Sequence, residues 1–538
     1  MSEAGLPRLA LGLDFGTESV RALLVDFSGR QQAAMVARYR HGQLTQTLPT
    51  GERLPAEFAL QHPSDWLQAA GQAVRRALKH ANARPDEVVS IGVDFTSCTM
   101  LPARADGSPL CLVDGFQRNM WAWPKLWKHH GAVEQTARLN QLARETSQPW
   151  LDRYGGQVGL EWFWPKVLET LENAPEVYAA TDVWLEAGDW FVWQLVGGTA
   201  DALPRSTCQA GYKACWNAAT GYPSSDFLGG LHPQLASAVT DKMPGRMLAP
   251  GQRAGDLTGK MAERLGLRAG TPVSAAVIDA HAGVPGAGVS GAGTLVMVLG
   301  TSSCHMLNST TERLVPGVAG VVQDGILPGF YGYETGQAAV GDAFDWLRRL
   351  AGQKNFKALD EQAALISPGA EGLVAVDWLN GCRTPLMNGG LKGLASGLSL
   401  GHSAAHLYRA LIEGTAYGVR WIVELLRDGG VEVNDLVATG GLPHHNPLLV
   451  QIYADVLQLP IVVHASQQGP ALGAAILGVL AAGPGPTGFH SAADAIESMA
   501  GGGESGRLVE PQPDHRAAYD DTYRTYRHWC RQIELATR

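Results

Sequence analysis

The chain is poor in the features that mark several protein classes. Its 538 residues hold seven cysteines. These are Cys98, Cys111, Cys208, Cys215, Cys304, Cys382 and Cys530, scattered, odd in number and without a C-x-x-C pair. That excludes a disulfide framework or a zinc site and predicts a reducing, cytoplasmic setting. The charged fraction is only 17% and the net charge is −9, with no Lys/Arg run. A basic face for nucleic acid is therefore not expected. No apolar run approaches the length of about 20 residues that spans a bilayer, so no membrane partner is expected. Met1 to Ala10 carries no long apolar core of a secretion signal.

What is present is glycine, 65 residues of it, in a chain that is 45% hydrophobic. Glycine serves tight turns and backbone that must approach another group closely. Leu9–Phe15 and Val20–Phe27 read as strands joined by the turn Gly16-Thr17-Glu18-Ser19. Ser64–Ala81 reads as a helix capped by Ser64, with Trp66, Leu67, Ala70, Val74 and Leu78 at helical spacing. Val88–Phe95 is then a strand leading into Thr96-Ser97-Cys98-Thr99. Strands and helices keep alternating, which predicts an α/β fold. Nine tryptophans between Trp121 and Trp193 predict a packed helical layer, with one or two indoles left for a pocket wall. The pattern loosens around Pro250, Gly251 and Gly255, placing a boundary near residue 262 and two units, 1–262 and 263–538. A helix is expected over Leu407–Leu426, and the charged tail Asp514–Ala536 reads as a helix on the surface.

The two halves echo each other. Strand, Gly16-Thr17 turn and strand open the first, and strand, Gly300-Thr301-Ser302 turn and strand open the second. Two related lobes facing a cleft would account for this. Asp14 closes a buried strand just before its turn. Such a carboxylate either caps the turn or serves a magnesium ion through water. Gly16, Thr17, Ser19, Gly300, Thr301 and Ser302 offer backbone and hydroxyl donors suited to phosphate. Asp279 ends the apolar run Val273–Ile278 and precedes Ala280-His281-Ala282-Gly283. A carboxylate there either caps the following helix or, desolvated and raised in pKa, acts as a general base. Gly440-Gly441 either forms a plain turn or admits a flat ring against the backbone.

These segments together resemble the FGGY carbohydrate kinases. Gly12–Arg21 is similar to the family's first phosphate motif, Ile278–Gly283 to the segment bearing its catalytic base, and Gly300–Ser302 to its second phosphate motif. Thr439-Gly440-Gly441 and Ala471–Ala475 resemble its adenosine site, and the likeness runs from about residue 8 to residue 482. It implies two actin/hexokinase-like (ribonuclease H-like) lobes around a central cleft, ATP and Mg²⁺ as ligands, and a homodimer. Asp14 would serve the metal, while Asn446 would join Gly440 and Gly441 at the nucleotide. Val93–Thr99, Glu161–Lys166, Gly211–Ala214 and Gly332–Gln337 point to the ketopentose branch, with ribulose as acceptor. That implies Ser97, Trp127, Lys213, Asp279 and Glu334 around the sugar, with Asp279 taking the proton of the 5-hydroxyl. Two alternatives stay open at this level: a xylulose- or pentitol-phosphorylating kinase, and a nucleotide-switched binding protein of the chaperone or actin type.

Overall fold

The computed structural model describes residues 8–501 and 506–537. Most of the Met1–Ala10 segment thus lies outside the described residues. Two seven-stranded sheets form the frame. In the first, Leu9–Phe15 pairs antiparallel with Ser19–Asp26, which pairs antiparallel with Gln31–Arg38. On its other side Leu9–Phe15 pairs parallel with Val88–Phe95, which is followed by Pro272–Ser274 and Arg253–Asp256. In the second, Thr294–Leu299, Ser303–Ser309 and Tyr331–Gln337 pair antiparallel in the same succession, and Asp435–Thr439 and Ile461–Val463 add on in parallel. The echo of two Gly-Thr turns is therefore a repeat of topology. Each turn joins the first two strands of its own sheet.

The first sheet runs past residue 262. Pro272–Ser274 and Val277–Ile278 both lie beside Val88–Phe95. The loose stretch that suggested a boundary is instead an edge of this sheet, since Arg253–Asp256 pairs back onto Pro272–Ser274.

Two helices are exchanged between the sheets. Asp279–Gly286 follows the first sheet but packs on Thr294–Leu299 and Ser303–Ser309 of the second. Gly469–Ala482 comes from the second half but lies on Leu9–Phe15 and Val88–Phe95 of the first. They also pack against each other, and glycine sets the distance. A Cβ at Gly92 would stand 1.6 Å from the Ala474 carbonyl oxygen, and one at Gly473 would stand 1.7 Å from that of Ala282. Only a missing side chain permits backbones to approach so closely.

The first helix spans Pro63–Ala81, one residue earlier than expected. Pro63 takes its first position, and the His62 ring accepts from the Ser64 N–H, so the cap is His62 rather than Ser64. Proline suits that position because its missing N–H would have no helical partner. Among the nine tryptophans, Trp123, Trp150, Trp162, Trp164, Trp184, Trp190 and Trp193 are buried, but they are shared among three separate cores and not gathered in one helical layer. The expected Leu407–Leu426 helix extends over Ala404–Asp428 and buries its apolar face in the second lobe's core.

The tail departs from the expected surface role. Arg516–Thr537 is helical and buries Tyr519, Tyr523, Tyr526 and Cys530. The Tyr526 hydroxyl donates to Asp377 at 2.8 Å, and Arg409 donates to the Tyr519 hydroxyl at 2.9 Å. A tyrosine every three or four residues on one face gives a charged helix an anchoring stripe.

Candidate active site

A cavity of about 350 Å³ opens between the two sheets. Its wall includes Gly16, Thr17 and Ser302 from the two turns, Ser97, Trp127, Lys213 and Asp279 from the first lobe, and Glu334 from the second.

Both turns close on the N–H of their glycine, across four residues in the first and three in the second. The Gly16 N–H donates to the Ser19 carbonyl and the Gly300 N–H to the Ser302 carbonyl, each at 3.0 Å. The two glycine N–H groups are thus spent inside their turns. The first turn is held from outside by the Tyr39 hydroxyl on the Gly16 carbonyl at 3.0 Å and the Gln61 amide on the Thr17 carbonyl at 2.7 Å. The second is held by Val340, Gly341 and Asp342 N–H groups donating to the Gly300 and Thr301 carbonyls. Trp127 connects the cavity wall to the first turn, its indole N–H donating to the Thr17 hydroxyl at 3.1 Å.

Three carboxylates meet at the strand ends. Asp14 and Asp94 stand opposite each other in parallel register, and Val277 is opposite Asp94 on the far side, two residues before Asp279. Asp94 is fully buried and neither of its carboxylate oxygens has a hydrogen-bond partner. Burial first, and the Asp14 and Asp279 charges second, push its pKa well above the usual range. Burial also raises Asp14, although the Arg21 guanidinium 2.8 Å away opposes this. Asp279 is pushed up to about 7, by burial and then by the Asp14 charge. The Ala280 N–H donates to Asp279 at 2.7 Å, while the cap position of this helix is Ile278, so Asp279 is its first residue and not its cap.

On the opposite wall Lys213 and Glu334 form a buried ion pair, with the ammonium 2.8 and 2.9 Å from the two carboxylate oxygens. Burial alone would raise Glu334, but Lys213 and then His281 outweigh it and hold the carboxylate below its usual range. Both side chains lie at 6–7% exposure, which orders them without isolating them from the cavity. Ser97 and Cys98 both reach the wall, Cys98 with φ +55°.

The remaining nucleotide candidates lie away from this wall. Gly440, with φ +94°, starts the short helix Gly441–His445, and a Cβ there would meet the Leu299 carbonyl oxygen at 2.5 Å. Asn446 is committed elsewhere. Its amide donates to Asp360 and the Tyr408 hydroxyl, and its carbonyl oxygen caps the Leu449 N–H. Reading the sequence singled out neither Asp94 nor Glu161, His281 or Arg383. Asp94 is placed by strand register and Arg383 by the packing of a distant loop, so neither leaves a local signal.

The fold sets a polar cavity between two sheets that each carry a Gly-Thr turn. Residues 9–286 match the N-terminal domain of the FGGY family of carbohydrate kinases and residues 295–482 its C-terminal domain. The chain belongs to that family and is an ATP-dependent carbohydrate kinase of the two-lobed, actin/hexokinase-like fold. It is 44% identical over 535 residues to the ribulokinase of Shouchella clausii, covering 97% of this chain and 94% of that one. It is 42% identical over 523 residues to the ribulokinase of Bacillus licheniformis, covering 95% and 94%. A solved structure described as a xyloylose kinase from Brucella ovis superposes with a TM-score of 0.82 at 22% identity, covering 98% of this chain and all of that one. Among the described residues, no single helix is long and apolar enough to cross a membrane.

Proposed function

We propose that this kinase transfers the γ-phosphoryl of ATP to the 5-hydroxyl of ribulose. The observation that carries the reading is one cavity joining Asp279, the Lys213–Glu334 pair, Gly16 and Thr17 of the first turn and Ser302 of the second. The ribulokinase relatives support the sugar. Lys213 and Glu334 present charged hydrogen bonds to hydroxyls or a carbonyl, and Trp127 presents an apolar face. Ser97 lies on the same wall.

Asp279 accepts the proton of the attacking hydroxyl. A pKa near 7 suits a base working near neutral pH. The turns after Gly16 and Gly300 set donors toward the phosphates, and Gly441, where a Cβ would meet nothing within 4 Å, leaves room for the base of the nucleotide. Closure of the lobes excludes water, which would otherwise take the sugar's place.

A magnesium ion fits the strand-end carboxylates. The Asp14 side chain is 12% exposed with one oxygen paired to Arg21, and the buried oxygens of Asp94 beside it lack partners. All-oxygen donors suit Mg²⁺, which keeps much of its water shell. Asp14, supported by Asp94, would hold it, and when bound it supplies positive charge at the phosphates. A cytoplasmic site of action accords with seven free thiols.

The test is ADP release across D- and L-ribulose, xylulose, pentitols, glycerol and hexuloses, with a no-sugar arm. Ribulose should stimulate ATP turnover most. Higher kcat/KM on xylulose or a pentitol would reassign the acceptor, and equal turnover without sugar would overturn the kinase reading in favour of a nucleotide-switched protein.

A further inference from the structure

The cavity holds more negative than positive charge, and its cations are unevenly used. Asp279, Glu161 and Glu334 line it, facing Lys213 and Arg383. Lys213 is occupied by both oxygens of Glu334. Arg383 differs. It has no carboxylate within ion-pair distance, and its one side-chain contact among the described residues is a weak donation to the Cys304 sulfur at 3.5 Å. It is a guanidinium with most of its five donors unspent, half-buried at the wall of the working cavity. Its loop is set firmly: the Thr384 N–H donates to the Gly336 carbonyl, and Cys382 and Asn388 exchange backbone hydrogen bonds.

A neutral sugar does not call for an unpaired guanidinium. A phosphoryl group does, because its planar fork matches two phosphate oxygens at once. Arg383 neighbours Cys304, two residues after Ser302 of the second turn, and senses Glu334 on the sugar side. It therefore stands where the second phosphate turn meets the sugar-binding pair. The geometry points to Arg383 as a further catalytic residue, whose guanidinium grips the phosphoryl group as it reaches the sugar and holds it in the product. This rests on the kinase reading above and adds a residue and a ligand group to it. The step is the transfer already described: the new O–P bond forms on the sugar, the bond to ADP breaks, and the proton goes to Asp279. Arg383 donates hydrogen bonds throughout and transfers no proton.

The test uses the full chain with Arg383→Gln and Arg383→Lys. Calorimetric titration of ribulose and of ribulose 5-phosphate is compared with steady-state kinetics. For Arg383→Gln, ribulose affinity should stay within about 3-fold, while affinity for the phosphate ester falls about 10-fold or more, as expected for a lost charge-assisted contact. Its kcat should fall about 10²-fold or more, the usual effect of removing one donor to transition-state charge. Arg383→Lys keeps the charge but loses the fork, so its ester affinity should fall less than in the Gln variant and more than its ribulose affinity. Should the Gln variant unfold, the Lys variant carries the same comparison. Equal losses for both ligands would show that Arg383 grips the sugar, and no loss for either would place it outside the reaction; each overturns the inference. If the wild-type chain prefers another sugar, that sugar and its phosphate ester replace the pair. A wrong acceptor thus shows in the wild type, and a wrong role for Arg383 only in the variants.

Discussion

Asp279→Asn should lower activity and raise stability together, with opposite dependence on pH. The wild-type carboxyl is moved from 3.8 to about 7, with burial the main cause and the Asp14 charge next. In the folded protein it therefore holds a proton through a pH range in which the unfolded chain has released it. The favourable contribution of that proton is complete below pH 3.8 and is lost as pH rises to about 7. Above this the fold carries an ionised carboxylate near Asp14. At about 1.4 kcal/mol per pH unit the full cost is about 4 kcal/mol. Water reaching the cavity wall screens part of it, leaving about 1–2 kcal/mol. The amide removes that penalty, so the variant should melt about 1–3 °C higher at pH 8 and gain less than half as much at pH 5, where the loss that begins at 3.8 and ends at about 7 is only partly complete. Over the same range wild-type kcat/KM should climb with a midpoint near 7, as the base ionises. The variant should lose that limb and about 10²- to 10⁴-fold in kcat, while sugar affinity measured by titration is nearly kept. Differential scanning calorimetry at both pH values, with ADP-release kinetics, checks all of this. A variant with near wild-type turnover, or one equally stabilised at pH 5 and pH 8, would refute the assignment.

Two further outcomes follow from the packing. Glu334→Gln leaves the Lys213 ammonium buried without its countercharge, which should destabilise by about 3–5 kcal/mol and raise the sugar KM far more than the ATP KM. Adding Lys213→Met should restore most of the lost stability without restoring sugar affinity; a double variant as unstable as the single one would show that the pair is not the cause. Gly92→Ala sets a methyl group 1.6 Å from the Ala474 carbonyl oxygen. Because both neighbours are backbone, it should cost about 3 kcal/mol or more in urea unfolding, and an unchanged midpoint would mean that this helix does not sit on the first sheet as described.

The sequence by itself determined the elements and the chemistry that is local to them. Apolar strands ending in Asp14 and Asp279, and the Gly-Thr turns, are short-range patterns, because a strand and its turn are set by neighbours in the chain. The tertiary structure decided what was paired with what. Lys213 meets Glu334 across 121 residues, and Asp94 comes beside Asp14 only through parallel pairing. Asn446 has its amide held by Asp360 and Tyr408, and the tail helix is anchored by one buried face through Asp377, all partners far away in the chain. Arg383 is one of many arginines until the fold sets it on the cavity wall with no ion pair among the described residues. Residue type gives a side chain its capacity for charge and hydrogen bonds; only the packed chain settles which of those capacities is already used, and what remains is what a substrate can meet.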